Sequence, residues 1–135
     1  MMLYFDTDVI VHYIIVQDEG KHKIAQKVIK KAISSNSFCI STLTFQELAF
    51  VLAKLKLDIV SIKKNLDFFM QFAVVSYSKN EIEKAFKIAE SIGYRSINDC
   101  IHTVIAEKYC KKLVTFNKND FNKIQKITNL EIIVL

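Results

Sequence analysis

The sequence predicts an α/β fold: one domain, residues 1–135, with a central, largely parallel β-sheet flanked by helices on both faces. Three observations predict it. Short apolar runs of strand character alternate with longer segments of helical periodicity along the whole chain, and strands that alternate with helices pair in parallel through crossovers. A chain of 135 residues is long enough to bury about two-thirds of its unfolded surface in one core. It has no proline and two glycines, so no linker marks a second unit, and no internal repeat is present.

Leu3 to Phe5 is a short strand that enters a turn at Asp6-Thr7-Asp8; the apolar VIVHYII beyond is ambiguous in period and is assigned to helix. From Gly20, the run KHKIAQKVIKKAI places Ile24, Val28 and Ile33 near one face and most lysines opposite, an amphipathic helix that ends at the SSNS cluster. Phe38-Cys39-Ile40 reads as the second strand, and Ser41-Thr42 and Thr44 offer N-caps for the helix FQELAFVLAKL, which carries Glu47. A third helix covers Ile59 to Phe72, and Val74 to Tyr77 is a strand. Ser78 caps the helix KNEIEKAFKIAESI, with Ile82, Phe86, Ile88 and Ala89 as its apolar stripe and Gly93 ending it. Asn98 is the predicted cap of DCIHTVIAEKYC, which puts Asp99 in its first turn. Leu113 to Phe116 is a strand, Lys118 to Lys126 a short helix, and Ile132 to Leu135 the last strand.

Half of the residues are apolar (51%), but the runs are short and broken by Lys, Asp or Ser. Nothing approaches the roughly 20-residue stretch of a membrane span. The apolar N-terminus carries Asp6 and Asp8 and no basic leader, so it reads as a first strand and not a signal peptide. Cys39, Cys100 and Cys110 are odd in number, lie in apolar contexts and lack Cys-x-x-Cys spacing, which argues against zinc or a disulfide framework and for a reducing, cytoplasmic location. The net charge of +5 comes from 18 Lys and the single Arg95, spread over nearly every segment. Composition alone favours a solvated lysine-rich surface. The alternative is a field that draws a polyanion toward an acidic pocket.

Four acids decide between these readings. Asp6, Glu47, Asp99 and Asp120 each lie at or beside an apolar, structured segment, where a carboxylate is costly unless its charge is compensated. In an open parallel sheet, ligands sit beyond the carboxyl ends of the strands. Asp6 ends the first strand, Glu47 follows the second, Asp120 follows the penultimate one, and Asp99 opens a helix, so all four are expected at one edge of the sheet. Carboxylates gathered there repel, and one has a raised pKa unless cations enter. Mg²⁺ or Mn²⁺ resolves that conflict and also activates water against a phosphodiester.

The blocks LYFDTDVI, STLTFQELAFVL, INDCIHTVIAEKYCKKLVTFNKNDF and EIIVL resemble, in order and interval, the PIN-domain ribonucleases, most closely the VapC-type toxins of toxin–antitoxin pairs. The resemblance covers essentially the whole chain. It implies a PIN fold, Mg²⁺- or Mn²⁺-dependent endoribonuclease activity, an RNA substrate, a cognate antitoxin and a homodimer. It also implies Asp6, Glu47, Asp99 and Asp120 as the metal-binding, catalytic acids, with Thr7 and Thr115 as small hydroxyl residues beside them. The family places its fourth acid where Asn117 stands or three residues later; here only Asp120 is acidic, and Asn117 is left to bind a metal water. Asp8 departs from the Asn often found there, and either adds charge to the pocket or caps a helix.

Each assignment has a plainer competitor. Asp6 in Asp-Thr-Asp is a good helix cap, and Glu47 and Asp99 suit the positive end of a helix dipole. For Asp120, a cap on a short surface helix is nearly even with the ligand reading. His102, three residues beyond Asp99, is a packed or rim histidine before it is a base, and His12 and His22 have no partner in the pattern. Arg95, Lys118 and Lys123 are candidates for RNA phosphates; Arg95 serves a structural salt bridge equally well. Phe68, Phe69, Met70 and Phe72 are mostly core, with the surplus available to a homodimer or an antitoxin helix. Two other functions fit the same chain: a housekeeping PIN nuclease in RNA processing, and a non-catalytic PIN module that binds RNA or protein.

Overall fold

The computed structural model describes residues 2–135; Met1 lies outside them. Five strands form one sheet: β1 (Leu3–Phe5), β2 (Phe38–Ser41), β3 (Ala73–Val75), β4 (Lys112–Thr115) and β5 (Glu131–Val134). Their order is β3-β2-β1-β4-β5, and all four pairings are parallel. Between them run α1 (Thr7–Ile14), α2 (Glu19–Ser34), α3 (Thr42–Lys54), α4 (Ile59–Met70), α5 (Lys79–Ile92), α6 (Ile97–Tyr109) and α7 (Lys118–Gln125), with a 3₁₀ turn at Tyr94–Ser96. The predicted α/β architecture is the observed one.

Pleating sends alternate strand residues to opposite faces. Leu3, Phe5, Phe38, Ile40 and Val114 meet α1, α2, α3 and α4; Tyr4, Cys39 and Leu113 meet α5, α6 and α7. Strands buried on both sides read as continuous apolar runs, and such runs are what the sequence offers at these positions. Within α6, Cys100 through Ala106 are all buried, so it is a core helix on every side of its middle turns. The three cysteines are buried free thiols, and no helix among the described residues is long and apolar enough to cross a membrane.

Several local expectations are corrected. The buried stripe of α2 is Ala25, Ile29 and Ala32, while Ile24 is exposed and Val28 and Ile33 are only partly covered. Two of the three buried positions are small alanines, so the inward face of α2 is not the one with the most apolar bulk. On α5 the buried residues are Glu81, Ala85, Ile88 and Ala89; Phe86 is exposed and lies against the Tyr94 ring. Asn98 is not a cap. The 3₁₀ turn feeds α6 early, so Ser96 takes the cap position and Asn98 lies within the first turn. Strand β3 stops at Val75, short of Tyr77, and Phe116 lies just past β4.

Candidate functional site

The chain leaves β1 toward β2 and β3 on one side, while β4 and β5 lie on the other, so strand order reverses between β1 and β4. Beyond the carboxyl ends of such a pair the crossovers diverge and leave a crevice. Here that crevice is a cleft of about 290 Å³ lined by Asp6, Thr7, Asp8, Val11, His12, Gln17, Glu47, Val51, Asp99 and Asn117.

Asp6 directly follows β1, its N–H donating to Val114 O of β4 at 2.9 Å. It caps α1 through Oδ1, which accepts from Thr7 N–H at 2.8 Å, and its Oδ2 accepts from the buried Thr115 hydroxyl at 2.8 Å. The cap reading is therefore realised without removing Asp6 from the cleft. Asp8, in the first turn of α1, accepts from Phe116 N–H at 3.1 Å and so ties α1 to the loop after β4.

Glu47 points from α3 and gathers three donors. Thr7 Oγ1 donates to Oε1 at 2.7 Å, His102 Nε2 hydrogen bonds the same oxygen, and Asn98 Nδ2 donates to Oε2 at 3.1 Å. Asp99 and Asp120 meet through Asn117, whose Nδ2 donates to Asp99 Oδ2 at 3.3 Å and to Asp120 Oδ2 at 3.1 Å. Asn117 also caps α7, accepting from Asp120 N–H, and its own N–H donates to Thr115 Oγ1 at 2.9 Å. Asp120 thus stands behind Asn117, beside Asp99, and is not itself a wall of the cleft.

The charges are poorly compensated. Burial pushes Asp6 above its ordinary value, although His102 and Thr115 oppose the shift. Burial and then the Asp6 charge push Asp8 up to about 7. Burial, the Asp6 charge and the hydrogen-bonded Asp120 push Asp99 up to about 8. Asp120 goes the other way, held down by Asn117, by Asp99 as its hydrogen-bond partner and by Lys123. For Glu47, burial acts upward but is outweighed by His102, Thr7 and Asn98, which hold the carboxyl low. Burial likewise acts to lower His102, and Tyr4, Glu47 and Asp6 together outweigh it, so the ring is held well above its ordinary value.

The donor set fits a hard divalent cation: oxygen ligands, a surplus of negative charge, and carboxyls whose ionisation burial opposes. Among the described residues no three acids, histidines or cysteines close on a common point at ligand spacing. Mg²⁺ keeps several of its waters and needs only one or two carboxylates in direct contact, so an acid set as open as this one remains compatible with it.

Of the predicted site residues, Asp6, Thr7, Glu47, Asp99 and Asn117 line the cleft, and Thr115 and Asp120 support it from behind. Lys118 and Lys123 are exposed on α7, and Arg95 is exposed in the 3₁₀ turn with no ion pair among the described residues. Sequence reasoning missed the contact of Asn98 with Glu47 and gave His12 no role, yet His12 lines the cleft with Nδ1 buried and unpartnered among the described residues. Asp8, the second acid of the Asp6-Thr7-Asp8 turn, does line the cleft, and the cap of α1 is Asp6 instead.

The family model for the PIN domain matches residues 3–127. Comparison with curated proteins finds no match. Among solved structures, the chain is similar to VapBC2 from Rickettsia felis bound to a DNA fragment from their promoter, at 18% identity and a TM-score of 0.72 over 100% of this chain and 99% of that one. It is also similar to VapC20 from Mycobacterium tuberculosis, a sarcin-ricin loop cleaving toxin, at 14% identity and a TM-score of 0.66 over 82% and 86% of the two chains. DNA-bound VapBC from Salmonella typhimurium matches at 18% identity and a TM-score of 0.64 over 98% and 96%. At these identities the likeness is one of fold. The family match covers nearly the whole chain, and the chain belongs to the PIN domain family.

Proposed function

We propose that this chain is a Mg²⁺- or Mn²⁺-dependent endoribonuclease, the cytoplasmic toxin of a VapBC-type pair, acting as a single domain. The observation that carries the proposal is the gathering of Asp6, Glu47 and Asp99 in one cleft at the strand-order reversal of a PIN fold, with Asp99 raised to about 8. Acids arranged so that they resist ionisation are stabilised by a cation, and the residues that would hold it are Asp6, Glu47, Asp99 and Asp120. Bound there, a divalent ion supplies compensating charge to the phosphodiester and activates water for in-line attack. The chain's own groups prepare the site. Thr115 and Thr7 N–H orient Asp6, and Asn117 keeps Asp99 beside Asp120. Arg95, Lys118 and Lys123 collect phosphates, which position the strand without reading its sequence.

A toxin needs a neutralising partner, and the structural relatives named above include toxin–antitoxin complexes. Helices α3 and α4 expose Phe50, Ile59, Val60 and Met70, while Phe69 is core. Exposed apolar groups at this density suit an antitoxin or a second copy of the chain.

Purified protein incubated with a pool of structured RNAs in Mn²⁺, in Mg²⁺ and in EDTA tests the proposal. Cutting that the chelator abolishes and added metal restores is the expected result. RNA binding without cutting under every condition would favour the non-catalytic module, and metal-dependent cutting with no antitoxin reading frame beside the gene would favour a housekeeping nuclease.

A further inference from the structure

His102 is fully buried in the middle of α6, yet both of its ring nitrogens are engaged. Nδ1 lies 2.6 Å from Tyr4 Oη, and Nε2 hydrogen bonds Glu47 Oε1. The Tyr4 hydroxyl continues to Ser41 Oγ at 2.7 Å, and Ser41 Oγ accepts from the Thr44 backbone N–H in the capping box of α3. A line of polar atoms thus crosses an otherwise apolar layer, from the start of α3 past β1 to the floor of the cleft. The ionised Glu47 carboxylate only accepts, so Nε2 carries the hydrogen.

A buried polar chain of this kind rigidifies what it holds when every member is satisfied, and costs stability when one is not. An apolar side chain would fill the same space without that liability. What the line holds is a cleft acid: Tyr4 is fixed in the central strand, His102 is fixed in the most buried helix, and Glu47 is only part-buried, with 23% of its side chain exposed. We propose that His102 is a positioning residue: anchored by Tyr4, it fixes the Glu47 carboxylate toward the cleft, so that cation binding depends on it more than folding does. The proposal rests on the metal-nuclease reading above.

The test has a metal-free arm and a metal arm. In EDTA, proton NMR of the wild-type protein should show a slowly exchanging downfield imidazole N–H that Glu47→Gln shifts or removes. By calorimetry, Mn²⁺ affinity should fall about tenfold in His102→Leu, the scale usual for a group that orients a metal ligand. His102→Gln, whose amide N–H reaches toward the same oxygen, should recover most of that loss. Tyr4→Phe keeps the buried ring and should lower the affinity about threefold, which decides the matter if His102→Leu does not fold. Wild-type Mn²⁺ affinity in folded Tyr4→Phe overturns the proposal. So does Mn²⁺ binding by a wild-type protein that lacks the Glu47-sensitive resonance, and in that case the metal reading survives. A wild-type protein that shows the resonance but binds no Mn²⁺ overturns both.

Discussion

Asp99 is a cleft acid whose ionisation burial and neighbouring carboxylates both oppose. Its pKa rises to about 8 through burial, the Asp6 charge and Asp120, whereas in the unfolded chain it lies near about 4. A group raised on folding gives its full stability below the unfolded value and loses it as pH climbs toward the folded one. In EDTA, Asp99→Asn should therefore melt above the wild type by a margin that widens from pH 5 to pH 8. With solvent screening allowed for, the margin should reach roughly 1–2 kcal/mol, a few degrees in melting temperature. A margin independent of pH would contradict the assignment. Thr115→Val removes the buried hydroxyl from Asp6 at nearly constant volume. It should cost about 1–2 kcal/mol in urea denaturation and, in the initial rate of RNA cleavage, about tenfold. Asp6, Glu47 and Asp99 were legible in the sequence because each is an acid beside a local apolar pattern. Two of their partners were not: Asn98 and His102 reach Glu47 from 51 and 55 residues away, and contacts at that separation leave no periodic trace.

At the scale of elements, the helix boundaries read best where a cap marks them. Ser41 and Ser78 each form a capping box; Ser78 starts α5 as the sequence predicts, and Ser41, one of the caps the sequence offered, starts α3 at Thr42, three residues ahead of the predicted helix. Gly93 ends α5 at φ +109°, a conformation that disfavours any residue with a Cβ, although nothing lies within 4 Å of where that atom would stand. Gly93→Ala should therefore lose about 1 kcal/mol or more through backbone strain alone, seen as a lower urea midpoint with an unchanged slope. A midpoint equal to wild type would mean that the turn relaxes freely. The misread elements have two causes. On α2 and α5, apolar bulk is a poor guide to orientation where the packed contact uses alanine, and Ile24 and Phe86 face solvent while Ala25 and Ala85 are buried. At α6, the preceding 3₁₀ turn moved the start of the helix ahead of Asn98, and a three-residue turn has too little period to be read.

Across the whole molecule, the alternation of strands and helices identified the sheet as parallel, but not its order, which depends on which strands meet across crossovers. Order is what makes the site: β1 and β4 are adjacent, so Asp6 and Thr115 touch and the acids of α3 and α6 approach from either side. On the proposed function, the net charge of +5, spread over many lysines, would supply the long-range attraction for a polyanion. RNA binding by Asp6→Asn in EDTA should therefore weaken about 20- to 40-fold between 50 and 200 mM salt, as expected for roughly three phosphate contacts. Affinity indifferent to salt in a filter-binding titration would remove the electrostatic part of the account. The central claim is that these acids act together with a divalent ion on RNA. It is tested most directly by cleavage of one RNA pool in Mn²⁺ by the wild type, Asp6→Asn and Asp99→Asn, each first shown by circular dichroism to be folded. The account predicts cutting by the wild type and a loss of at least about 100-fold in both variants; undiminished cutting by either folded variant would contradict it.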